Sequence, residues 1–442
     1  MAGVALPVRE IQSAGAVTIA VAATDTSRRY YGWKVLAALF MAGFMVYGGG
    51  LWAFTLFVMP LTEEFHWTRA ATGGLVTAFW LSAPLILLGG FGIKRFGAVR
   101  MLICGILIEA SCLAMLGTVS SFWQMYLLRA AMGFGKVAFA VTLPYLVSRW
   151  FSRHYSLGLG ITWSGWHFGG LVLAPLTGQV IAHFGWRAAC FTIVGGLITV
   201  GLIPALIVLR VKTPAQLGLA LDGDPLDAAA RQQPVDVRDN PPGSLGALLG
   251  SATFWFIALM TLVFFTTYSG LITHQSAIVE GAGFIGQLPS TVLGATAGFA
   301  GIGSLCTGWL LDRYSTRNVG IGMCVLLLTG ALSLLAIDRL HSTAALFVYA
   351  ATFGFTVGGG DLYFVALLRL RFPSISVAFS YSAWYFCQIL TLLVGGPIAG
   401  KIYDLTGDYA TTLGLLVGTA AAALVFSLVV VRPQRRIAAA PP

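Results

Sequence analysis

The stretch "GGFGIKRFGAVR", residues 89–100, sets Lys94, Arg95 and Arg100 in a glycine-framed turn between two apolar runs. A second stretch, "GWLLDRYSTR" at 308–317, begins 218 residues after Gly90 and holds the corresponding place in the second half. Both read Gly-x-x-x-charged-Arg-aromatic-small. A cleaner echo pairs "PLTGQVIAHFG" (175–185) with "PIAGKIYDLTG" (397–407), Pro-x-x-Gly-x6-Gly at an offset of 222. Two matches at nearly one offset, both in register with the apolar runs, mean parallel internal repeats.

Composition says where such a chain resides. Of its 442 residues 57% are hydrophobic and only 10% charged, against about 25% charged in soluble domains. The mean hydropathy is +0.85. A chain of that size and greasiness belongs in a lipid bilayer. The net charge of +10 does not point to nucleic acid, because its cations are scattered between apolar runs with no basic tract interleaved with aromatics. The six cysteines lie inside apolar runs, with no CxxC pair and no histidine at ligand spacing, so neither disulfides nor a metal site is expected. No cofactor motif, nucleotide loop or nucleophile–base arrangement is present either, which speaks against an enzyme and against an ATP-driven pump.

A span needs about 20 apolar residues. That ruler predicts spans at 35–59, 75–93, 101–119, 122–146, 156–181 and 186–209, then at 254–279, 288–311, 319–337, 344–368, 376–400 and 411–431. The expected fold is an all-α membrane protein of twelve transmembrane helices in two six-helix repeats. The halves are 31–210 and 251–432, with a tail at 1–30, a Pro-, Gly-, Asp- and Arg-rich linker at 211–250 and a tail at 433–442. The apolar piece "AGAVTIAVAA" near the start is too short for an anchor and poorly flanked for a cleavable signal. If the N-terminus is cytoplasmic, the inner segments hold about 20 Lys and Arg and the outer ones about 4. The positive-inside rule then puts both termini in the cytoplasm, and a bacterial inner membrane is the expected location.

The turn motifs carry a family resemblance. "GGFGIKRFGAVR" resembles the loop between spans two and three of the major facilitator superfamily, "GWLLDRYSTR" its echo between spans eight and nine, and "RAAMGFG" (129–135) the Arg-x-x-x-Gly-x-Gly motif of span four. The resemblance covers residues 30–432. Within the superfamily, "YYGWKVLAALF", "EEFHWTRA", "VSRWFSRHYSLGLGITWSGWHFGG" and "PIAGKIYDLTGDYA" look most like the monocarboxylate carrier and oxalate/formate antiporter branch, and "TPAQLGLALDGD" is a linker of the kind found in bacterial members. The resemblance implies a central cavity lined by spans 1, 4, 7 and 10, and a latch of loop acid, Arg and helix ends. Gly90, Arg95, Gly97, Gly308, Asp312 and Arg313 are the gating residues it implies. Two departures stand out. Lys94 replaces the usual acid of the first loop while Asp312 keeps it in the second, and spans eight and eleven lack the cations that commonly bind a carboxylate in this branch.

Ionisable residues inside the bilayer are costly unless paired, so each is a functional candidate. Arg129 and Lys136 lie seven residues apart on one face of span four. With His167, Tyr385 and Gln388 they are the substrate-binding candidates, although Arg129 equally suits a brace that bonds backbone carbonyls or Glu109. Glu109, Asp361 and His274 are candidates for proton coupling. The two span-four cations favour a secondary transporter of a small organic anion, a carboxylate, coupled to protons or to a counter-anion. The uncharged span eight favours the alternative, an exporter of an apolar or cationic compound.

Overall fold

In the computed structural model the described residues are 30–67, 71, 74–75, 78–211, 213–225, 245–284, 288–337, 341–406 and 408–430. The terminal tails (1–29 and 431–442) and linker residues 226–244 expected from the sequence lie outside them. The regular elements of the described residues are all helices, joined by turns and short connections, with a single isolated β-bridge among them between Leu219 and Pro225. Helices suit a bilayer because they satisfy every backbone group internally.

Among the described residues, ten helices are long and apolar enough to cross a membrane. The difference from twelve has two sources. The element Tyr155–Val208 runs for 54 residues, about 80 Å at ~1.5 Å per residue, far longer than one crossing. It turns at Gly185, whose φ of 81° and ψ of 165° no helix contains. Glycine tolerates that conformation without a Cβ clash, so spans five and six meet at this corner. The segment predicted as span two is built from short pieces, the 3-10 turn Ala83–Leu88 and the helix Gly89–Phe96. Gly97, at φ 83°, ends it and passes the chain into span three, Ala98–Leu116.

Span packing repeats between the halves. In the first half, span one packs on spans five and six, and span three on span four; in the second, seven packs on eleven and twelve, and nine on ten. Each pair maps onto its counterpart by a shift of six spans, which is the packing correlate of the sequence echo. The prolines of that echo, Pro175 and Pro397, both lie inside helices.

The halves meet through span five on spans eight and ten, and through span eleven on spans two and four. Their tightest approach is on the face that carries the linker. There a Cβ on Gly160 would overlap the Ser304 carbonyl, and Gly308 abuts the backbone of Ser156 and Leu157. Phe91 meets Phe379 edge-on with ring centroids 4.9 Å apart, and the Arg369 guanidinium sits 4.1 Å above the Tyr155 ring. This linker face is closed.

Candidate functional site

Above the closed face, both halves line a cavity near the middle of the bundle. Tyr47 and Trp52 of span one, Trp80 of span two, and Trp163, Trp166 and His167 of span five form one wall. Tyr268 of span seven, Gly358 and Asp361 of span ten, and Tyr385 and Gln388 of span eleven form the other. Four of the sequence candidates therefore come together: His167, Asp361, Tyr385 and Gln388. The flanking rings are a product of packing. Tyr47 stacks on Trp166 at 3.9 Å and 10°, and Tyr381 on Tyr385 at 5.2 Å and 13°.

Asp361 follows the glycines 358–360, where small residues let helices approach closely. Its Oδ1 accepts from Gln388 Nε2 at 2.6 Å, tying span ten to span eleven. Lys136 lies behind Trp80. Its Nζ is 3.1 Å from the centroid of the Trp80 ring, 5.3 Å from that of Phe79 and 5.8 Å from that of Tyr47. The side chain is 2% exposed, and its ammonium has no hydrogen-bond acceptor among the described residues. The indole nitrogens of Trp163 and Trp166 and Nδ1 of His167 are likewise buried and without partners there.

Arg129 does not reach the cavity. Its Nη1 donates to the Gly50 carbonyl at 3.0 Å and its Nε to the Leu75 carbonyl at 3.3 Å. The guanidinium stacks 3.6 Å above Phe54. Gly50 belongs to a π-helical stretch, Gly48–Trp52, where the regular ladder is interrupted and a side-chain donor is welcome. These bonds to backbone carbonyls are the ones a brace would make. Glu109 is fully buried against Gly50, with neither oxygen partnered among the described residues. It forms no ion pair with Arg129 there, because the ion pairs join Arg153, His154 and Arg187 to Asp222, Asp224 and Glu64. His274 also lies away from the cavity, its Nδ1 3.3 Å from the Tyr409 hydroxyl.

The gating residues divide by half. Asp312 accepts from the backbone N–H groups of Ser156 and Leu157, each at 2.9 Å, and so caps the first turn of span five in the other half. A carboxylate there also meets the positive end of the helix dipole. Arg313 lies over Trp309 at 5.6 Å. In the first half Lys94 and Arg95 are exposed, and Gly90 simply makes room for Phe379. The contact between the halves is therefore electrostatic at Asp312 and a ring contact at Gly90. Asp312→Asn removes the charge but keeps one acceptor, a loss of about 1.5–3 kcal/mol or roughly 10- to 100-fold in the closed population. Spin labels at 94 and 314, in a cysteine-free background, should report a longer distance in that variant. An unchanged distance distribution would remove Asp312 from the gate.

Of the aromatic wall, the sequence singled out Tyr385 as a candidate. Tyr47, Trp52, Trp80 and Tyr268 read as ordinary span residues, and only packing across spans brings them together.

Known proteins place this architecture. The profile described as Major Facilitator Superfamily matches residues 35–374. Human monocarboxylate transporter 12 is 27% identical over 292 residues, 62% of this chain and 55% of that protein, so the match spans little more than half of the human relative. Mouse monocarboxylate transporter 11 is 28% identical over 86% of this chain and 83% of its own length. The uncharacterised transporter YcxA of Bacillus subtilis is 25% identical over 70% of this chain and 72% of its own. The crystal structure of the fucose:proton symporter of E. coli superposes with a TM-score of 0.68 at 13% identity, over 92% of this chain and all of that one. With its profile, its fold and the monocarboxylate transporters among its relatives, the chain belongs to the major facilitator superfamily and is a multi-pass secondary transporter of the membrane, not an enzyme.

Proposed function

We propose that the protein carries a small organic carboxylate, with a proton as co-substrate, by rocking its two six-helix halves around the cavity. One observation carries this reading: the cavity region holds an ammonium, Lys136 Nζ, with no acceptor among the described residues, and two indole N–H donors in the same condition. An indole N–H and an ammonium can only donate. Leaving such groups buried without partners costs several kcal/mol, most of all for the charge. A carboxylate supplies several acceptor sites at once, so it satisfies this set and Asp361 does not need to. Asp361 already has a donor in Gln388, and its place in the cavity suits a group that takes up a proton in one conformation and releases it in the other. The relatives named as monocarboxylate transporters support the substrate class. The cation excess on the linker face supports a cytoplasmic placement for that face and for both termini.

A second reading keeps one support. Seven aromatic rings and the Asp361 carboxylate line the cavity, while Lys136 stays behind Trp80. That lining also suits an organic cation. Proteoliposome uptake with an imposed pH gradient separates the two. The carboxylate reading expects an acidic exterior to drive accumulation of a labelled monocarboxylate together with protons, and an amine to leave that accumulation unaffected. Accumulation of an amine with no carboxylate uptake would sink it. In Asp361→Asn we expect gradient-driven accumulation to disappear while one-for-one exchange of substrate continues. Accumulation at the wild-type level would take the proton away from Asp361.

A further inference from the structure

Segment 213–225, which follows span six, reads in sequence as part of a solvated linker, yet it is folded against the start of span five. Two short 3-10 turns, Pro214–Leu217 and Leu221–Gly223, are closed by the Leu219–Pro225 bridge. Asp222 adopts a left-handed backbone, φ 60° and ψ 7°, and its side chain is only 3% exposed. Its Oδ2 accepts from the N–H groups of Ser152 at 3.0 Å and Arg153 at 2.9 Å, and its Oδ1 from that of His154 at 3.3 Å. The Asp222 N–H donates to the Trp150 carbonyl at 3.0 Å. The Tyr30 hydroxyl donates to the same carbonyl at 2.6 Å, and its ring packs on Gly223. Arg153 Nη2 reaches both oxygens of Asp224, at 2.7 and 2.8 Å.

Beyond Tyr155 on the same backbone, the N–H groups of Ser156 and Leu157 donate to Asp312 of the opposite half. Five backbone donors between 152 and 157 are thus divided between two carboxylates, three on the linker acid and two on the gate acid. Only the second set must break when the linker face opens, because Asp312 travels with the other half. The first set stays within its own half and holds the approach to span five in one conformation.

We propose that Asp222 is a positioning residue for closure of the transporter: the linker strap orders residues 152–157 so that Asp312 docks on a preformed pair of donors. Without Asp222 the loop 150–154 is free to move in the open state, and closure has to order it again. Ordering costs of that kind reduce the net gain from docking. The proposal holds whatever the substrate is, and it fails independently of the carboxylate reading.

Hydrogen–deuterium exchange on the full-length protein, with its native cysteines, tests it. Asparagine tolerates the left-handed backbone, so Asp222→Asn changes the carboxylate and little else. Exchange in peptides covering 155–158 and 305–313 should rise about tenfold, the equivalent of one lost charge-assisted hydrogen bond. In an Asp312→Asn background the same substitution should leave 305–313 unchanged, since the dock it prepares is gone. Asp224→Asn, which breaks only the exposed pair with Arg153, should leave 305–313 at the wild-type rate. Faster exchange confined to 150–154, or effects on 305–313 that simply add in the double variant, would overturn the proposal and leave Asp222 a local cap. Asp222→Ser provides a second variant with a neutral acceptor. If neither variant inserts, the strap serves folding and the proposal falls.

Discussion

Lys136→Met is expected to insert normally, to melt at a higher temperature than the wild type and to lose carboxylate uptake. Each part follows from the same geometry. The ammonium is 2% exposed and lacks an acceptor among the described residues, with Trp80 as its nearest partner. Exchanging a buried charge for an apolar side chain of similar length is often neutral or stabilising by about 1–4 kcal/mol. On the carboxylate reading proposed above, a bound substrate becomes the partner that offsets this cost. Removing one member of a buried, hydrogen-bonded charge pair costs about 2–5 kcal/mol, which is roughly 30-fold or more in affinity. Stability and transport should therefore move in opposite directions, which a merely structural lysine does not do. The measurements are a thermal melt in detergent and initial uptake rates in proteoliposomes. Wild-type uptake by Lys136→Met would place Lys136 outside the site, and a lower melting temperature would show that the cation braces the helices. Lys136→Arg is a poor control, since a guanidinium stacks on an aromatic face as well and is larger and more widely branched than the ammonium it replaces.

The repeats and the span pattern were legible because each rests on local punctuation. Glycine-framed charged turns at 89–100 and 308–317 mark where spans end, and an acid placed to cap a helix identified Asp312. The cavity was half legible. Asp361, Gln388, Tyr385 and His167 stood out as polar groups inside apolar runs, and they do meet. The environment of Lys136 was not legible, because its rings come from spans one and two, and no spacing within span four indicates them. Arg129 left two roles open for a similar reason. Its acceptors are backbone carbonyls, at Gly50 and Leu75, which every residue possesses and which only an interrupted helix releases. The strap at 213–225 was read as solvated from its composition. Its signal was the "LDGD" turn, where Asp222 and Gly223 both take positive φ, a local feature that composition averages away.

The asymmetry of the two gates gives the closed state a particular character. In a carrier whose halves rock, each conformer is held by the contacts unique to it. Here the contact of span five with span eight includes two charge-assisted hydrogen bonds, at Asp312, while that of span two with span eleven rests on Phe91, Phe379 and the space left by Gly90. Ring contacts of this kind are worth about 0.5–1.5 kcal/mol beyond area, and a bond to a charged group about 1.5–3. The side with Asp312 is therefore the stronger lock, and opening of the linker face should begin on the side of spans two and eleven.

Arg129→Ala is expected to fail at an earlier stage than Lys136→Met, by loss of folded protein in the membrane. Two donors to two carbonyls disappear, together with a guanidinium stacked 3.6 Å from Phe54 and 4.7 Å from Phe79. Hydrogen bonds from a charged donor contribute about 1.5–3 kcal/mol each in soluble proteins, and about 0.6–2 between membrane helices, where the unfolded reference also finds partners. On the lower scale two bonds still give about 1–4 kcal/mol, and the void between the rings adds to the loss. Gly50 and Leu75 belong to spans one and two, so the loss loosens the corner where three helices meet. Arg129→Lys retains the charge but not the fork, reaches one carbonyl, and should recover part of the expression. The swap of Glu109→Arg with Arg129→Glu should not rescue either single variant, because no ion pair joins the two among the described residues. Membrane abundance and monodispersity of the purified variants are the readouts. Rescue by the swap would establish a structural Glu109–Arg129 pair after all. A well-folded Arg129→Ala that no longer transports would return Arg129 to the substrate path.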